Sequence, residues 1–268
     1  MNLKLVAIDI DGTLLNSKKE ITDRTKKTLA KAKANGIKVV LCTGRPYAGV
    51  EPLLKELNLE EAGDYVATYN GSVVQKADTK EAIAELGLSH DDYISIESMA
   101  RRVSVPVHAL DNDNIYTANQ NISPYTVHES VLTSLPIKYR TTDQMSDNIS
   151  IIKMMMIDQE EKLDLAISKL PKEFLADYTC VKSAPFYYEI LNKKADKGFA
   201  LKALGKHLNI DFKDMMAIGD NENDLAMIEF AGLGIAMGNA VPKLKAISDE
   251  ETLSNDEDGV AAIIEKYL

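Results

Sequence analysis

The chain has 268 residues, 45% of them hydrophobic and 27% charged, with a formal net charge of −10 at pH 7. That balance suits a globular protein with one large core or two modest ones. It argues against a nucleic-acid binder, since no basic run offsets the acidity, and no apolar stretch reaches membrane-spanning length. Asp9 and Asp11 interrupt the only apolar run near the N-terminus, so no signal-peptide pattern is expected. Cys42 and Cys180 sit in apolar, strand-like stretches and read as buried free thiols, which suits a cytoplasmic protein. No feature signals an oligomeric state.

The run Leu3–Ile8 reads as a short strand buried on both faces, as in a parallel sheet. Thr22 can cap a helix through about Asn35, which Gly36 can end. A second apolar strand spans Ile37–Cys42, and Pro46 suits the first turn of a helix running to about Leu57. Tyr65–Tyr69 is a third strand, ended by the turn pair Asn70-Gly71. Strands alternating with helices across short connections indicate a parallel α/β sheet.

From about residue 83 the texture changes. Helical patterns at 91–103, 125–134 and 159–170 lie among strand patterns at Val105–Leu110, Ile115–Ala118, Ser150–Ile157, Asp177–Lys182 and Tyr187–Leu191. Asp111–Asn114 reads as a hairpin turn, and Met154-Met155-Met156 reads as strand core. This mixture is an expected α+β insert over 83–189, splitting a core of 1–82 and 190–268. After Asp196 the first texture returns. A helix is expected over 198–208, a strand at Met215–Ile218, a helix from about Asn223 and a strand at 233–237. A final helix is expected with Asp256 near its start as a capping signal.

Four stations carry the chemistry. The first is Asp9-Ile10-Asp11-Gly12-Thr13, directly after the first strand. Side chains two apart on a strand share a side, so Asp9 and Asp11 are expected to point into one pocket. Like charges about 4 Å apart repel by roughly 4 kcal/mol at intermediate dielectric, which a proton or metal ion between them would relieve. A polar Asp-Gly turn is the plainer account. The second station is Thr43-Gly44-Arg45, where a hydroxyl, an amide and a guanidinium at a strand end suit a phosphoryl group. Alone, it is an ordinary strand-to-helix turn. The third is Lys197 at the head of a helix, where the dipole disfavours positive charge. It is either a solvated lysine or a point charge aimed at a phosphate oxygen. The fourth is Gly219-Asp220-Asn221-Glu222-Asn223-Asp224. Asp220 there can complete an oxygen cage for a hard cation, or merely cap a helix. Three stations follow strands that would be parallel, so they gather at one sheet edge, where ligand sites of open α/β sheets lie. Acids for a metal beside Thr, Lys and Arg for an anion spell metal-assisted phosphoryl chemistry.

Asp9-x-Asp11-Gly12-Thr13, Thr43, Lys197 and Gly219-Asp220-x-x-x-Asp224 occur in the order seen in haloacid dehalogenase-like phosphatases, which the chain resembles. The insert length is similar to the large α/β cap of the Cof-like branch. Thr43–Val50, Tyr69–Gly71, His108–Asp111, Tyr116–Asn119, Tyr125–Ser130, Lys182–Pro185 and Ala217–Asp220 resemble the YidA-type sugar phosphatases. The resemblance implies a Rossmann-like parallel-sheet core with an inserted cap. It implies that Asp9 is the nucleophile, forming an aspartyl phosphate, and Asp11 the general acid and base. It implies Mg²⁺ held by Asp9, the Asp11 backbone carbonyl and Asp220, with Asp224 behind, and phosphate held by Ile10, Thr43, Gly44, Lys197 and Asn223. Arg45, Asn70 and Gly71 from the core, and His108, His128 and Ser183 from the cap, are candidate substrate contacts. The implied partners are small phosphorylated metabolites such as sugar phosphates, with no nucleic acid or membrane.

Three other readings compete. A sugar phosphomutase of the same superfamily shares the first motif and the cap size, but the remaining motifs fit the phosphatases better. A Ca²⁺-binding protein could use Asp9, Asp11 and Thr13 as alternate ligands, with Glu20 at the twelfth position. An EF-hand loop, however, needs glycine at its sixth position, where this chain has Leu14 and, in the second acidic loop, Leu225. A binding protein that keeps the fold without activity would not need the intact acids and Lys197.

Overall fold

A computed structural model describes residues 2–268. The chain forms two compact units. The first runs to Glu85 and resumes from Asp196 to Leu268; the second is Leu86–Ala195. The expected insert began three residues earlier and ended six residues sooner.

The first unit opens with β1 (Leu5–Ile8), α1 (Asp23–Ala34), β2 (Lys38–Cys42), α2 (Tyr47–Glu56) and β3 (Tyr65–Thr68). A 3₁₀ turn at Tyr69–Gly71 leads to β4 (Val73–Lys76) and β5 (Ala82–Glu85). The second unit holds α3 (His90–Val103), β6 (Val107–Leu110), β7 (Ile115–Thr117), α4 (Pro124–Thr133) and β8 (Ile137–Tyr139). It continues with β9 (Lys153–Ile157), α5 (Glu160–Ile167), α6 (Lys172–Asp177), β10 (Tyr178–Ala184) and β11 (Tyr187–Asn192). The first unit then resumes with α7 (Lys197–Leu208), β12 (Met215–Gly219), α8 (Leu225–Phe230), β13 (Leu233–Ala236), α9 (Pro242–Lys245), β14 (Glu250–Glu251) and α10 (Gly259–Glu265).

The first unit is built on an eight-stranded sheet of order β14-β13-β12-β1-β2-β3-β4-β5. The strands from β14 to β3 are parallel, while β4 and β5 are antiparallel additions at one edge. β1 lies at the centre, pairing Ile8 with both Ile218 and Leu41. Its four residues are apolar and buried because helices cover both faces of a parallel sheet. α1 starts where the Thr22 hydroxyl accepts from the Thr25 amide at 3.2 Å, and it stops before Gly36 at φ +81°.

The second unit carries a six-stranded sheet of order β10-β11-β9-β6-β7-β8. One face packs on α3, α5 and α6 through Tyr93, Ile96, Leu163 and Phe174. A smaller cluster of Leu110, Ile115, Met155, Ile157 and Tyr187 forms separately. The three consecutive methionines of β9 are fully buried, as a strand with two covered faces requires.

Several elements differ from the sequence reading. The helix expected over 159–170 ends at Ile167, and a separate α6 follows Pro171. The helix expected from Asn223 begins as a 3₁₀ turn at Glu222–Asp224 before α8. Asp256 does not cap α10. Its carboxylate accepts from the Ser17 amide at 2.8 Å and hydroxyl at 2.6 Å, and the helix starts at Gly259. Cys42 is buried with its thiol pushed up to about 12 by burial, but Cys180 is only partly covered.

Candidate active site

The ends of β1, β2, β3 and β12 lie side by side, so the loops that follow them share one edge of the first unit's sheet. Asp9 still belongs to the ladder, its amide donating to the Ile218 carbonyl at 3.0 Å. The chain then turns sharply. The Leu14 amide donates to the Asp9 carbonyl at 3.2 Å and the Leu15 amide to the Ile10 carbonyl at 3.0 Å. Gly12 serves this turn at φ +87°, where a Cβ would lie 2.4 Å from an Asp220 carboxylate oxygen. Thr13 donates its hydroxyl to the other Asp220 oxygen at 2.8 Å.

Because of that turn, Asp9 and Asp11 do not share a pocket. Asp9 is buried and receives Lys197 Nζ at 2.5 Å. The Asp11 carboxylate is half exposed and held by the Arg45 guanidinium, Nε at 2.8 Å and Nη2 at 2.7 Å, with Lys19 Nζ at 3.2 Å. Partial burial works against its charge, but Arg45 and Lys19 prevail and hold the carboxyl below its ordinary range.

Lys197 is the first residue of α7, behind Asp196, whose carboxylate accepts from the Phe199 amide at 2.7 Å. It is not a surface lysine. It is wholly enclosed, and Nζ also donates to Asp224 Oδ1 at 2.5 Å. Gly198 lets α7 approach α8 closely, since a Cβ there would lie 2.6 Å from the Ala226 carbonyl oxygen. Burial opposes the ammonium charge, but Asp224 and Asp9 overcome it and raise its pKa. The second Asp224 oxygen accepts from the Asp220 amide at 2.9 Å and the Asn221 amide at 3.1 Å. Both Asp224 oxygens are thus engaged by donors.

Asp9, Asp220 and Asp224 each bring a carboxylate oxygen within 4.8 Å of the others. Burial is the main cause that pushes Asp9 up to about 8, with Asp224 and Asp220 adding to it against the pull of Lys197. Asp220 is also raised, first by burial and then by Asp224. Carboxylates so crowded suit a hard divalent cation bound through oxygen, and Asp9 and Asp220 retain oxygen capacity for one.

The second station is knitted to the fourth. The Arg45 amide donates to the Thr43 hydroxyl at 3.1 Å, and the Asn70 amide to the Thr43 carbonyl at 2.8 Å. Asn70, at φ +55°, accepts from Asn223 Nδ2 at 3.2 Å, linking the loops after β3 and β12. Gly44 lies against the Asn70 amide, and Gly71, at φ +91°, has no room for a Cβ beside the Asp196 carbonyl. Ile10 is buried with its side chain in the core.

His108, His128 and Ser183 belong to the second unit. His108 is enclosed, with Nδ1 3.1 Å from the Thr126 hydroxyl, and burial with Lys153 nearby lowers its pKa to about 3. The imidazole is thus enclosed within the second unit. His128 Nδ1 lies 2.8 Å from the Tyr187 hydroxyl, and Ser183 donates to Glu189 at 2.7 Å. Sequence reasoning missed Lys19, which approaches Asp11 across a loop, and Asn239, whose Nδ2 donates to the Gly12 carbonyl at 2.8 Å. Neither lies in a motif.

The family of haloacid dehalogenase-like hydrolases matches residues 6–264. YxeH of Bacillus subtilis (strain 168) is 47% identical over 99% of this chain and 98% of its own length. A 5-amino-6-(5-phospho-D-ribitylamino)uracil phosphatase of the same organism, YcsE, is 30% identical over 100% of this chain and 97% of its own. The crystal structure of a haloacid dehalogenase-like hydrolase from Bacteroides thetaiotaomicron superposes with a TM-score of 0.83 at 34% identity, covering 99% of this chain and 100% of that one. With the match spanning both units and all four stations, the chain belongs to the haloacid dehalogenase-like hydrolase family.

Proposed function

We propose that this protein, a phosphatase of the haloacid dehalogenase-like family, hydrolyses phosphate monoesters of small metabolites, sugar phosphates among them, with Mg²⁺ as cofactor. The observation that carries the reading is the enclosed ammonium of Lys197, which donates to both Asp9 and Asp224 beside Asp220. A relative that acts on a phosphorylated ribityl compound supports a polyol-phosphate substrate.

Asp9 is the nucleophile. Its carboxylate oxygen bonds to phosphorus as the bond from phosphorus to the ester oxygen breaks, giving an aspartyl phosphate. Asp11 gives its proton to the leaving alkoxide, then takes one from the water that attacks phosphorus and frees Asp9. Arg45 must loosen its grip for Asp11 to carry a proton. Asp9, the Asp11 backbone carbonyl and Asp220 would hold Mg²⁺, with Asp224 keeping Lys197 and the Asp220 backbone in place. When bound, the cation supplies positive charge that offsets repulsion between Asp9 and the anionic substrate. Thr43, Gly44, Lys197, Asn223 and the Ile10 backbone hold the phosphoryl oxygens, on which charge must be stabilised.

Purified protein with Mg²⁺ should release orthophosphate from members of a phosphorylated-metabolite panel and from a chromogenic phosphate ester. Release from none of them would overturn the proposal. Asp9→Asn should abolish turnover with the circular dichroism spectrum unchanged, and retained turnover would remove Asp9 as nucleophile.

A further inference from the structure

The second unit contains a cleft of about 800 Å³ that none of the four stations touches. β6 runs antiparallel to β7, and β7 runs parallel to β8. The start of β6 and the ends of β7 and β8 therefore meet at one edge of the sheet. The cleft opens there, beside the C-terminal end of α3. Its volume falls within the range of small-molecule sites, roughly 300–1,000 Å³.

Two of its donors are fixed by groups behind them. Asn119 spends its side-chain carbonyl on the Val107 amide at 3.0 Å and the Thr117 hydroxyl at 3.1 Å, which leaves its Nδ2 donors uncommitted. Arg101 donates Nε to Glu97 at 2.6 Å, and that carboxylate is only 5% exposed. The guanidinium is anchored while its Nη groups remain available. Donors held in place by buried acceptors lose little entropy when a ligand arrives. Around them, Gln120 and Thr142 make no side-chain hydrogen bond among the described residues. The ring of Tyr139 is 40% exposed at the rim, a flat apolar surface with a polar tip.

Charge decides the ligand class. The single cation lining the cleft, Arg101, is already balanced by Glu97, and Asp143 adds a further negative charge. A phosphate would find no surplus positive charge there. A neutral polyhydroxylated molecule would find donors, acceptors and an aromatic face. We propose that this cleft binds an unphosphorylated sugar or polyol, at a site separate from the phosphoryl chemistry. A binder of dephosphorylated product would let such a compound act on the protein without occupying Asp9.

The test is calorimetric titration of the full-length protein with D-glucose, D-mannose and ribitol, with orthophosphate and Mg²⁺ present to fill the phosphoryl site. At least one should bind saturably at millimolar concentration. Gln120→Ala and Asn119→Asp should each weaken binding by about tenfold, the worth of one neutral hydrogen bond. Asn119→Asp keeps the acceptor used by Val107, while Gln120→Ala changes an exposed residue, so one serves if the other disturbs the fold. Phosphate release from the chromogenic ester should be unchanged in Gln120→Ala. No saturable binding by any of the three would overturn the proposal, as would binding that both variants leave intact. Neither result bears on the phosphatase reading, which the metabolite panel tests separately.

Discussion

Lys197 shows how a residue that is costly in isolation becomes structural in context. A cation at a helix N-terminus opposes the dipole, and its complete enclosure adds a desolvation cost. Two carboxylates at 2.5 Å offset both. Lys197→Ala should therefore unfold at lower urea concentration, with a loss of about 3–5 kcal/mol typical of breaking a buried pair. Turnover should fall by on the order of a hundredfold or more. Asp9 gives a pH signature. Its folded pKa is pushed up to about 8 against an ordinary 3.8, so between those values the folded protein holds a proton that the unfolded chain has lost. Stability of the metal-free protein should therefore fall as pH rises across that window. On the proposed reading Mg²⁺ takes the ionised carboxyl, so adding it should remove most of the fall. Urea midpoints measured near pH 5 and near pH 8, with chelator and with Mg²⁺, check both parts.

At the scale of elements, the turn after β1 decides which way each acid faces. Strand geometry alone would place Asp9 and Asp11 on one side. The chain leaves the strand at Asp9, and the turn through Gly12 sends Asp11 to Arg45 and Lys19. Gly12→Ala should be costly for two reasons, its φ of +87° and the absence of space beside Asp220. A loss of more than 1 kcal/mol and a displaced Asp220 are expected, seen as a lower urea midpoint and a higher Mg²⁺ requirement for turnover. The same scale explains the missed elements. β4 and β5 are four-residue strands added antiparallel at the sheet edge, too short for their two or three apolar residues to set a clear period. α6, six residues long between Pro171 and β10, went unread because one and a half turns set no helical period, and the helix expected over 159–170 covers α5 alone.

At the scale of the whole molecule, each unit has a hydrophobic core of its own. The second unit is continuous in sequence and of ordinary domain size. Residues 86–195 expressed alone should fold cooperatively in urea and release no phosphate from any ester. A fragment that stays unfolded would show that its sheet needs the rest of the chain.

The sequence by itself determined the parallel core, the existence of an insert and the four stations. Those features are local: apolar runs between helices, and polar residues at strand ends. The partners of each charge were decided only in the folded chain. Asp9, Lys197 and Asp224 are far apart in sequence, and nothing near Lys197 indicates that it is enclosed. Asp11 pairs with Arg45 because the β1 and β2 loops are neighbours, and Asp256 ties to Ser17 instead of capping its own helix. The cleft beside α3 depends likewise on which strand ends share an edge. Strand order and burial set which charges meet and how far each pKa moves, and both are properties of the tertiary structure.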